Sequence, residues 1–157
     1  MEMGDTLKVG DKAPDFALEA QNGHNIALHD FIGSKNVVLY FYPKDFTPGC
    51  RAETKSFSEN YDALLALGAE VLGISSDSAD SHIDFARECG ATFPMLADNG
   101  GRVRESYGVK SSFGLAPGRV TFVIDKSGIV RHVFSSQLRP KQHVSEAIEA
   151  LKALLSS

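Results

Sequence analysis

Apolar and polar residues alternate near the beginning of the chain and then give way to a longer apolar run. The stretch APDFALEAQNGHNIAL alternates on both sides of Asn22-Gly23, a dipeptide that favours the positive φ angles of a tight hairpin turn. Residues 36 to 42, NVVLYFY, are almost all apolar and are rich in β-branched and aromatic side chains. The pattern therefore predicts a short N-terminal β-hairpin, followed by a strand that is covered on both faces and ended by Pro43.

Two helical patterns enclose a second apolar run. From Pro48 to Gly68 the apolar residues recur at helical spacing, which predicts one helix that starts near the proline and stops at the glycine. AEVLGISS predicts a second buried strand. Residues 78 to 89 predict another helix, with Ile83 and Ala86 on one side and Gly90 as its stop. This order of elements indicates parallel strands joined by right-handed crossovers.

The last part of the chain has a different order of elements. FPMLAD predicts a short strand, GGRVRESYGV a short helix, and RVTFVID and IVRHVFS two strands joined by a tight turn. A last helix presents one apolar face, formed by Val144, Ile148, Leu151 and Leu155. The sequence therefore predicts an α/β fold with a mixed central sheet, helices on both faces and an N-terminal β-hairpin. No repeat or linker interrupts it, so we expect residues 1–157 to form a single domain.

The composition of the chain argues against several kinds of binding partner. The chain has 157 residues, 43% of them hydrophobic, and a formal net charge of -4, which offers no electrostatic footprint for nucleic acid or an anionic membrane. It contains no apolar run of about 18 residues, and its start lacks the basic and apolar pattern of a signal peptide, so we expect a cytoplasmic protein. The five histidines are scattered without ligand spacing, so we assign no metal site.

Cys50, one of only two cysteines, stands in an unusual setting. It follows Thr47-Pro48-Gly49 at a predicted helix start, where free backbone N–H groups and the positive end of the helix dipole favour a thiolate. Thr47 can direct its hydroxyl toward the sulfur or toward a bound substrate, and Pro43 can shield the loop from water. A buried filler cysteine fits poorly with so polar and turn-rich a segment. We therefore interpret Cys50 as a reactive cysteine.

The segment YFYPKDFTPGCRAETKSF resembles the active-site segment of the peroxiredoxins, and within them it is most similar to the bacterioferritin comigratory protein or peroxiredoxin Q group. Pro43, Thr47 and Cys50 have the P-x-x-x-T-x-x-C form of that family. The similarity continues through KVGDKAPDF, EVLGISSDS and GRVTFVIDKSGIV and so covers nearly the whole chain. It implies a thioredoxin-like fold and a thiol peroxidase that needs no metal, haem or flavin.

The resemblance also implies roles for single residues. Cys50 would be the peroxidatic cysteine, whose thiolate attacks hydrogen peroxide or an organic hydroperoxide and becomes a sulfenic acid. Thr47 would hold the peroxide oxygens, and Arg119 matches the family's distant active-site arginine, which stabilises the thiolate and polarises the O–O bond. Glu53 matches a glutamate common in the group and could orient an arginine, but surface capping or a solvated helix charge explains it nearly as well. Arg51 points about 100° away from Cys50 on a helix and ranks lower.

The chain departs from the group's pattern at the resolving cysteine. Many members carry it five residues after the first cysteine, where this chain has Lys55. Other members place it in the helix after the second core strand, at a position matching Ala86, one turn before Cys89. Two readings stay open: Cys89 resolves the sulfenic acid, or it is a small core residue and an external thiol does so. The offset from Ala86 favours the second.

The reductant and the substrate are less well defined. The resemblance implies a hydroperoxide substrate, and thioredoxin, glutaredoxin or a small thiol as reductant, with a monomer more expected than a dimer. Phe46, Phe113 and Leu115 are candidate apolar walls of the substrate pocket. A thioredoxin-like oxidoreductase would need a C-x-x-C pair, which Glu53 interrupts. The alternative function is a redox sensor or chaperone-like binding protein that responds to Cys50 oxidation.

Overall fold

The computed structural model describes residues 6–109, 111–112, 116–117, 119–136 and 139–156. Its strands are β1 (Ala17–Ala20), β2 (Asn25–Ala27), β3 (Asn36–Phe41), β4 (Ala69–Ser75), β5 (Met95–Ala97), β6 (Ser111–Ser112), β7 (Ala116–Pro117), β8 (Val120–Ile124) and β9 (Val130–Ser135). Its α-helices are α1 (Pro48–Glu59), α2 (Tyr61–Ala66), α3 (Ala79–Cys89), α4 (Arg102–Ser106) and α5 (Gln142–Leu155). Within these ranges no helix is long and apolar enough to cross a membrane.

Seven strands form one mixed sheet in the order β2-β1-β5-β4-β3-β8-β9. β3 runs parallel to β4, and β4 parallel to β5, whereas β8 pairs antiparallel with both β3 and β9. β1 and β2 form the predicted hairpin, in which Gly23 has a φ of 83°. β6 and β7 form a separate two-stranded ribbon. The predicted element types and the mixed sheet are therefore confirmed.

β3 is buried along its whole length and supplies both halves of the hydrophobic core. Val37, Leu39 and Phe41 pack into one cluster with residues of α4 and the N-terminal segment. Val38 and Tyr40 point to the other face, where the core is built from α1, α3 and α5. Side chains alternate between the two faces along a strand. Helix α1, which follows β3, packs on the second face. That face also contains Cys50 and Cys89.

Helix α1 does not continue to Gly68 as predicted. It ends at Glu59, and Asn60 leaves the helical region with φ −105° and ψ 6° before α2 begins. The Asn60 side chain donates to the carbonyl of Ser56 at 2.8 Å, because asparagine competes well for helix carbonyls. The apolar spacing continues across this break, so the pattern alone could not reveal it.

Two predicted helix faces were wrong in detail. On α3, Ile83 is 38% exposed, and the buried face consists of His82, Phe85, Ala86 and Cys89. The buried face lies one position away from the predicted one because His82 is buried and forms hydrogen bonds inside the core. On α5, Leu155 is 62% exposed because it is the last residue of the helix.

Candidate active site

The loop between β3 and α1 places Cys50 in the first turn of the helix. Thr47 is the N-cap in an extended conformation, and Pro48 occupies the first helical position, where its missing N–H costs nothing. The first intrahelical bond runs from Arg51 N–H to the carbonyl of Thr47 at 2.9 Å. The N–H groups of Gly49 and Cys50 therefore have no helical carbonyl to which they could donate a hydrogen bond. Cys50 is fully buried and lies at this positive end of the helix.

Arg119 reaches Cys50 from the neighbouring strand. It directly precedes β8, whose Val120 pairs with Phe41 at the end of β3, where the active-site loop begins. The guanidinium is 5% exposed, interacts electrostatically with the Cys50 side chain and donates through Nη1 to Glu53 Oε1 at 2.7 Å. Burial alone would lower the pKa of Arg119, but the charges of Glu53 and Cys50 raise it. The predicted arginine and cysteine are thus brought together.

Gly49 makes this approach sterically possible. A Cβ atom built on Gly49 would lie 2.8 Å from Arg119 Nη2 and 3.5 Å from its Cζ. Such a contact is closer than a carbon and a nitrogen tolerate. The glycine of the Thr-Pro-Gly-Cys turn therefore allows the guanidinium to stack against the helix backbone beside the sulfur.

Glu53 lies one turn after Cys50 and is completely buried. Removal from water raises the pKa of Glu53 to about 8, although the positive charge of Arg119 opposes this rise. Its Oε1 accepts from Arg119, while its Oε2 has no hydrogen-bond partner among the described residues and lies 3.5 Å from His143 Nδ1. The expectation that Glu53 contacts an arginine is met at Arg119.

Thr47 and Pro43 lie in the loop before Cys50, and both are partly buried. The hydroxyl of Thr47 donates to the carbonyl of Lys44 at 3.0 Å and makes no cap to its own helix. Its proton is therefore directed away from the sulfur, and its lone pairs are free to accept a hydrogen bond.

Arg51 and Phe46 face α3. Arg51 Nε pairs with Glu88 at 2.9 Å, and its guanidinium lies 5.8 Å from the centroid of the Phe46 ring. The Phe46 ring in turn packs edge-on against Phe85 at 5.3 Å. Phe46 has a φ of 70°, a costly conformation for a residue with a bulky side chain, and it is 37% exposed. The other two predicted wall residues, Phe113 and Leu115, lie outside the described residues.

A buried polar cluster, which sequence reasoning missed, holds the loop in place. The carboxylate of Asp45 accepts from Tyr42 and Ser81 hydroxyls at 2.7 Å each and lies 2.7 Å from His82 Nδ1. The Asp45 N–H donates to Asp77 at 2.8 Å. These bonds tie the loop to the end of β3, to α3 and to the segment after β4. The sequence offers one hint of this cluster, since Asp45 lies inside the segment that resembles the peroxiredoxin active site.

A second buried arginine near the site was also missed. Arg104, on α4, is 7% exposed and donates through Nη2 to the carbonyl of Tyr42 at 2.8 Å. Burial lowers the pKa of Arg104, and the negative charges of Asp98 and Cys50 partly offset this effect. Nothing in GRVRESYGV distinguishes this arginine from a surface one.

Cys89 is the last residue of α3 and is buried beside α1. Burial raises the pKa of Cys89 to about 11, with a further rise from the adjacent Glu88. Both cysteines are unpaired, and the described residues contain no group of three or more His, Cys, Asp or Glu side chains that could hold a metal. Cys89 is thus a thiol rather than a thiolate near neutral pH.

Comparisons with known proteins show what this chain is similar to. The sequence model of the AhpC/TSA family matches residues 9–133. The chloroplastic peroxiredoxin Q of Sedum lineare is 43% identical over 146 residues, which are 92% of this chain and 78% of that protein. The plant relative is thus similar over nearly the whole chain.

Solved structures show the same thioredoxin-like arrangement. Peroxidoxin BcpB from Mycobacterium tuberculosis is 34% identical with a TM-score of 0.87, covering 94% of this chain and 98% of that one. The bacterioferritin comigratory protein of Xanthomonas campestris is 27% identical with a TM-score of 0.84, covering 96% of this chain and 99% of that one. The thioredoxin-like fold is thereby shown for this chain.

Proposed function

Because this chain belongs to the AhpC/TSA family and is a thiol-dependent hydroperoxide reductase of its peroxiredoxin Q group, we propose that Cys50 is its peroxidatic cysteine. The observation that carries the proposal is the placement of the Cys50 side chain at the positive end of α1, where it interacts with the charge of the buried Arg119 guanidinium. A buried sulfur that faces a guanidinium and free backbone N–H groups is held as a nucleophile.

The chemical step is an in-line displacement at oxygen. The Cys50 thiolate attacks the terminal oxygen of the hydroperoxide, an S–O bond forms and the O–O bond breaks. The sulfur is oxidised by two electrons to a sulfenic acid, and the leaving oxygen takes a proton and departs as water or an alcohol. Charge moves from sulfur to the leaving oxygen, so fixed donors at both places lower the barrier.

Each neighbouring group has a task in that step. Arg119 stabilises the thiolate and the departing oxygen with one rigid guanidinium. The hydroxyl of Thr47, which donates to Lys44, accepts a hydrogen bond from the peroxide O–H and so orients it. Pro43 closes the loop over the sulfur. Glu53 holds the guanidinium in place through Oε1.

The substrates proposed are hydrogen peroxide and organic hydroperoxides. The Xanthomonas campestris relative is described as having alkyl peroxide reduction activity, which supports the second class. Phe46 offers an exposed aromatic edge beside the loop as part of an apolar wall. The cytoplasmic location and the monomeric state expected from the sequence stay predictions.

We propose that an external thiol, from thioredoxin, glutaredoxin or a small molecule, reduces the sulfenic acid. Cys89 is buried and has a pKa of about 11, so it supplies almost no thiolate to attack Cys50. A disulfide, whose Cα atoms lie within about 7 Å, would also have to join the first turn of α1 to the last residue of α3. The external thiol condenses with the sulfenic acid and releases water, and a second thiol then frees Cys50.

Mass spectrometry of protein treated with one equivalent of peroxide tests this route. Under non-reducing conditions we expect Cys50 to carry the oxidation and a Cys89→Ser variant to react and turn over as the wild type does with a small thiol. A prompt, stoichiometric Cys50–Cys89 crosslink, lost in that variant together with turnover, would show that Cys89 resolves. Turnover by a redox sensor or binding protein would instead be no faster than that of a free thiol.

A further inference from the structure

Behind Arg119 lies a buried pair of acceptor atoms that the proposed chemistry does not use. Glu53 Oε2 and His143 Nδ1 face each other at 3.5 Å, and both side chains are completely buried. No described residue donates a hydrogen bond to Glu53 Oε2. Such an atom is costly in a protein core if it carries a negative charge without a donor.

The hydrogen bonds of His143 show where its proton is. His143 Nε2 lies 2.9 Å from the carbonyl of Ser136, which can only accept, so Nε2 carries the hydrogen. Nδ1 lies 2.7 Å from the hydroxyl of Thr121, which can donate to it. Burial lowers the pKa of His143 to about 4, in agreement with a neutral ring. Nδ1 therefore has no proton to offer Glu53, because its single lone pair accepts from Thr121.

An ionised Glu53 would leave a negative oxygen buried beside a nitrogen that has no proton to donate. We infer that Glu53 carries a proton on Oε2, and that its neutral form leaves the charge of Arg119 to Cys50 and its bound peroxide. The pKa of Glu53, raised to about 8 by burial, agrees with this assignment. The inference deepens the proposed function of Cys50 and rests on it.

The coupling runs through the shared guanidinium. With Glu53 neutral, the charge of Arg119 is balanced by the Cys50 thiolate alone. Once Glu53 ionises, two anions compete for one cation, and the positive field at the sulfur and at the leaving oxygen weakens. The other titratable groups that act on the pair or on Arg119 are Cys50 on α1, Tyr40 on β3 and Glu146 on α5.

The sign of the pH dependence follows. An acid with a raised pKa is protonated below that value, so oxidation of Cys50 should be fast at about pH 7 and slow as the pH passes about 8. If only the protonated form is fully active, the rate constant falls by up to about tenfold between about pH 7 and pH 9.

Two variants separate this inference from a structural role. Glu53→Gln keeps an oxygen for Arg119 and offers an amide N–H to His143, and so imitates the protonated acid. We expect its ratio of rate constants at these two pH values to stay within about twofold of one. His143→Phe keeps an aromatic ring against Phe134, whose ring centroid lies 4.8 Å from that of His143, and like the neutral histidine it offers Glu53 no proton. We therefore expect its alkaline fall at the wild-type pH, whereas loss of a proton donor would shift it. His29→Phe, which removes an exposed histidine paired with Asp15, is the matched control and should follow the wild-type profile.

Infrared spectroscopy of the resting protein gives a readout that needs no turnover. The wild type should show the C=O band of a protonated carboxyl near neutral pH, lost as the pH passes about 8 and absent in Glu53→Gln. In Cys50→Ser, Arg119 is left to Glu53, so the band should vanish at lower pH. No such band in a wild type that consumes peroxide rapidly, or a Glu53→Gln profile like the wild type's, would overturn the inference and leave the function of Cys50 intact. Turnover by Cys50→Ser would overturn that function instead.

Discussion

Replacing Arg119 with lysine keeps a positive charge at the site but removes the planar guanidinium. In the wild type, that group interacts with the charge of Cys50 and at the same time donates to Glu53 at 2.7 Å. A lysine ammonium is a single point charge that can reach one of these partners from the position of Arg119. One charge-assisted hydrogen bond is worth about 1.5–3 kcal/mol. Losing one in the transition state lowers the rate constant for Cys50 oxidation by about 10²-fold.

The assay is rapid mixing of reduced protein with hydrogen peroxide, with the remaining peroxide measured over time, beside a titration of the thiolate absorbance. Arg131→Lys is a matched control, since Arg131 pairs with Asp125 on the surface, far along the chain from the loop. It should react like the wild type. If Arg119→Lys oxidises within about twofold of the wild-type rate and titrates alike, Arg119 does not act on the sulfur.

Two further changes test how the loop is built. Gly49→Ala adds a Cβ 2.8 Å from Arg119 Nη2, so the guanidinium must move. We expect Cys50 oxidation to slow about tenfold or more while thermal stability changes little. An unchanged rate would contradict the close packing of Gly49 and Arg119. Asp45→Ala leaves the buried groups of Tyr42, Ser81 and His82 without their acceptor. We expect the free energy of unfolding in urea to fall by about 3 kcal/mol and hydrogen exchange across residues 45–50 to become faster. An unchanged unfolding midpoint would contradict a structural role for Asp45.

Sequence reasoning located the parts of the site that lie in one contiguous segment. Pro43, Thr47 and Cys50 could be identified because their spacing and the helix start that follows are local features. Arg119 was found only through its resemblance to a family pattern, since pairing between β3 and β8 brings it to the loop across a long stretch of chain.

The groups that were missed depend on burial, which spacing does not report. His82 and His143 are fully buried, yet in the sequence they look like ordinary polar positions on amphipathic helices. The roles of Asp45 and Arg104 likewise could not be predicted, because they depend on the hydroxyl and carbonyl groups that the fold places around them. The break of the long helix at Asn60 was missed for a similar reason, because the apolar period continues across it.

The most direct test of Cys50 as the peroxidatic cysteine compares three proteins mixed rapidly with substoichiometric hydrogen peroxide. We expect the wild type and Cys89→Ser to consume it at the same rate, far above that of a free thiol, with a sulfenic acid found at Cys50. Cys50→Ser should consume none beyond the buffer, because a serine hydroxyl is almost wholly un-ionised at neutral pH, and its circular dichroism should match the wild type. Rapid consumption by Cys50→Ser, or a first oxidation found at Cys89, would contradict the account.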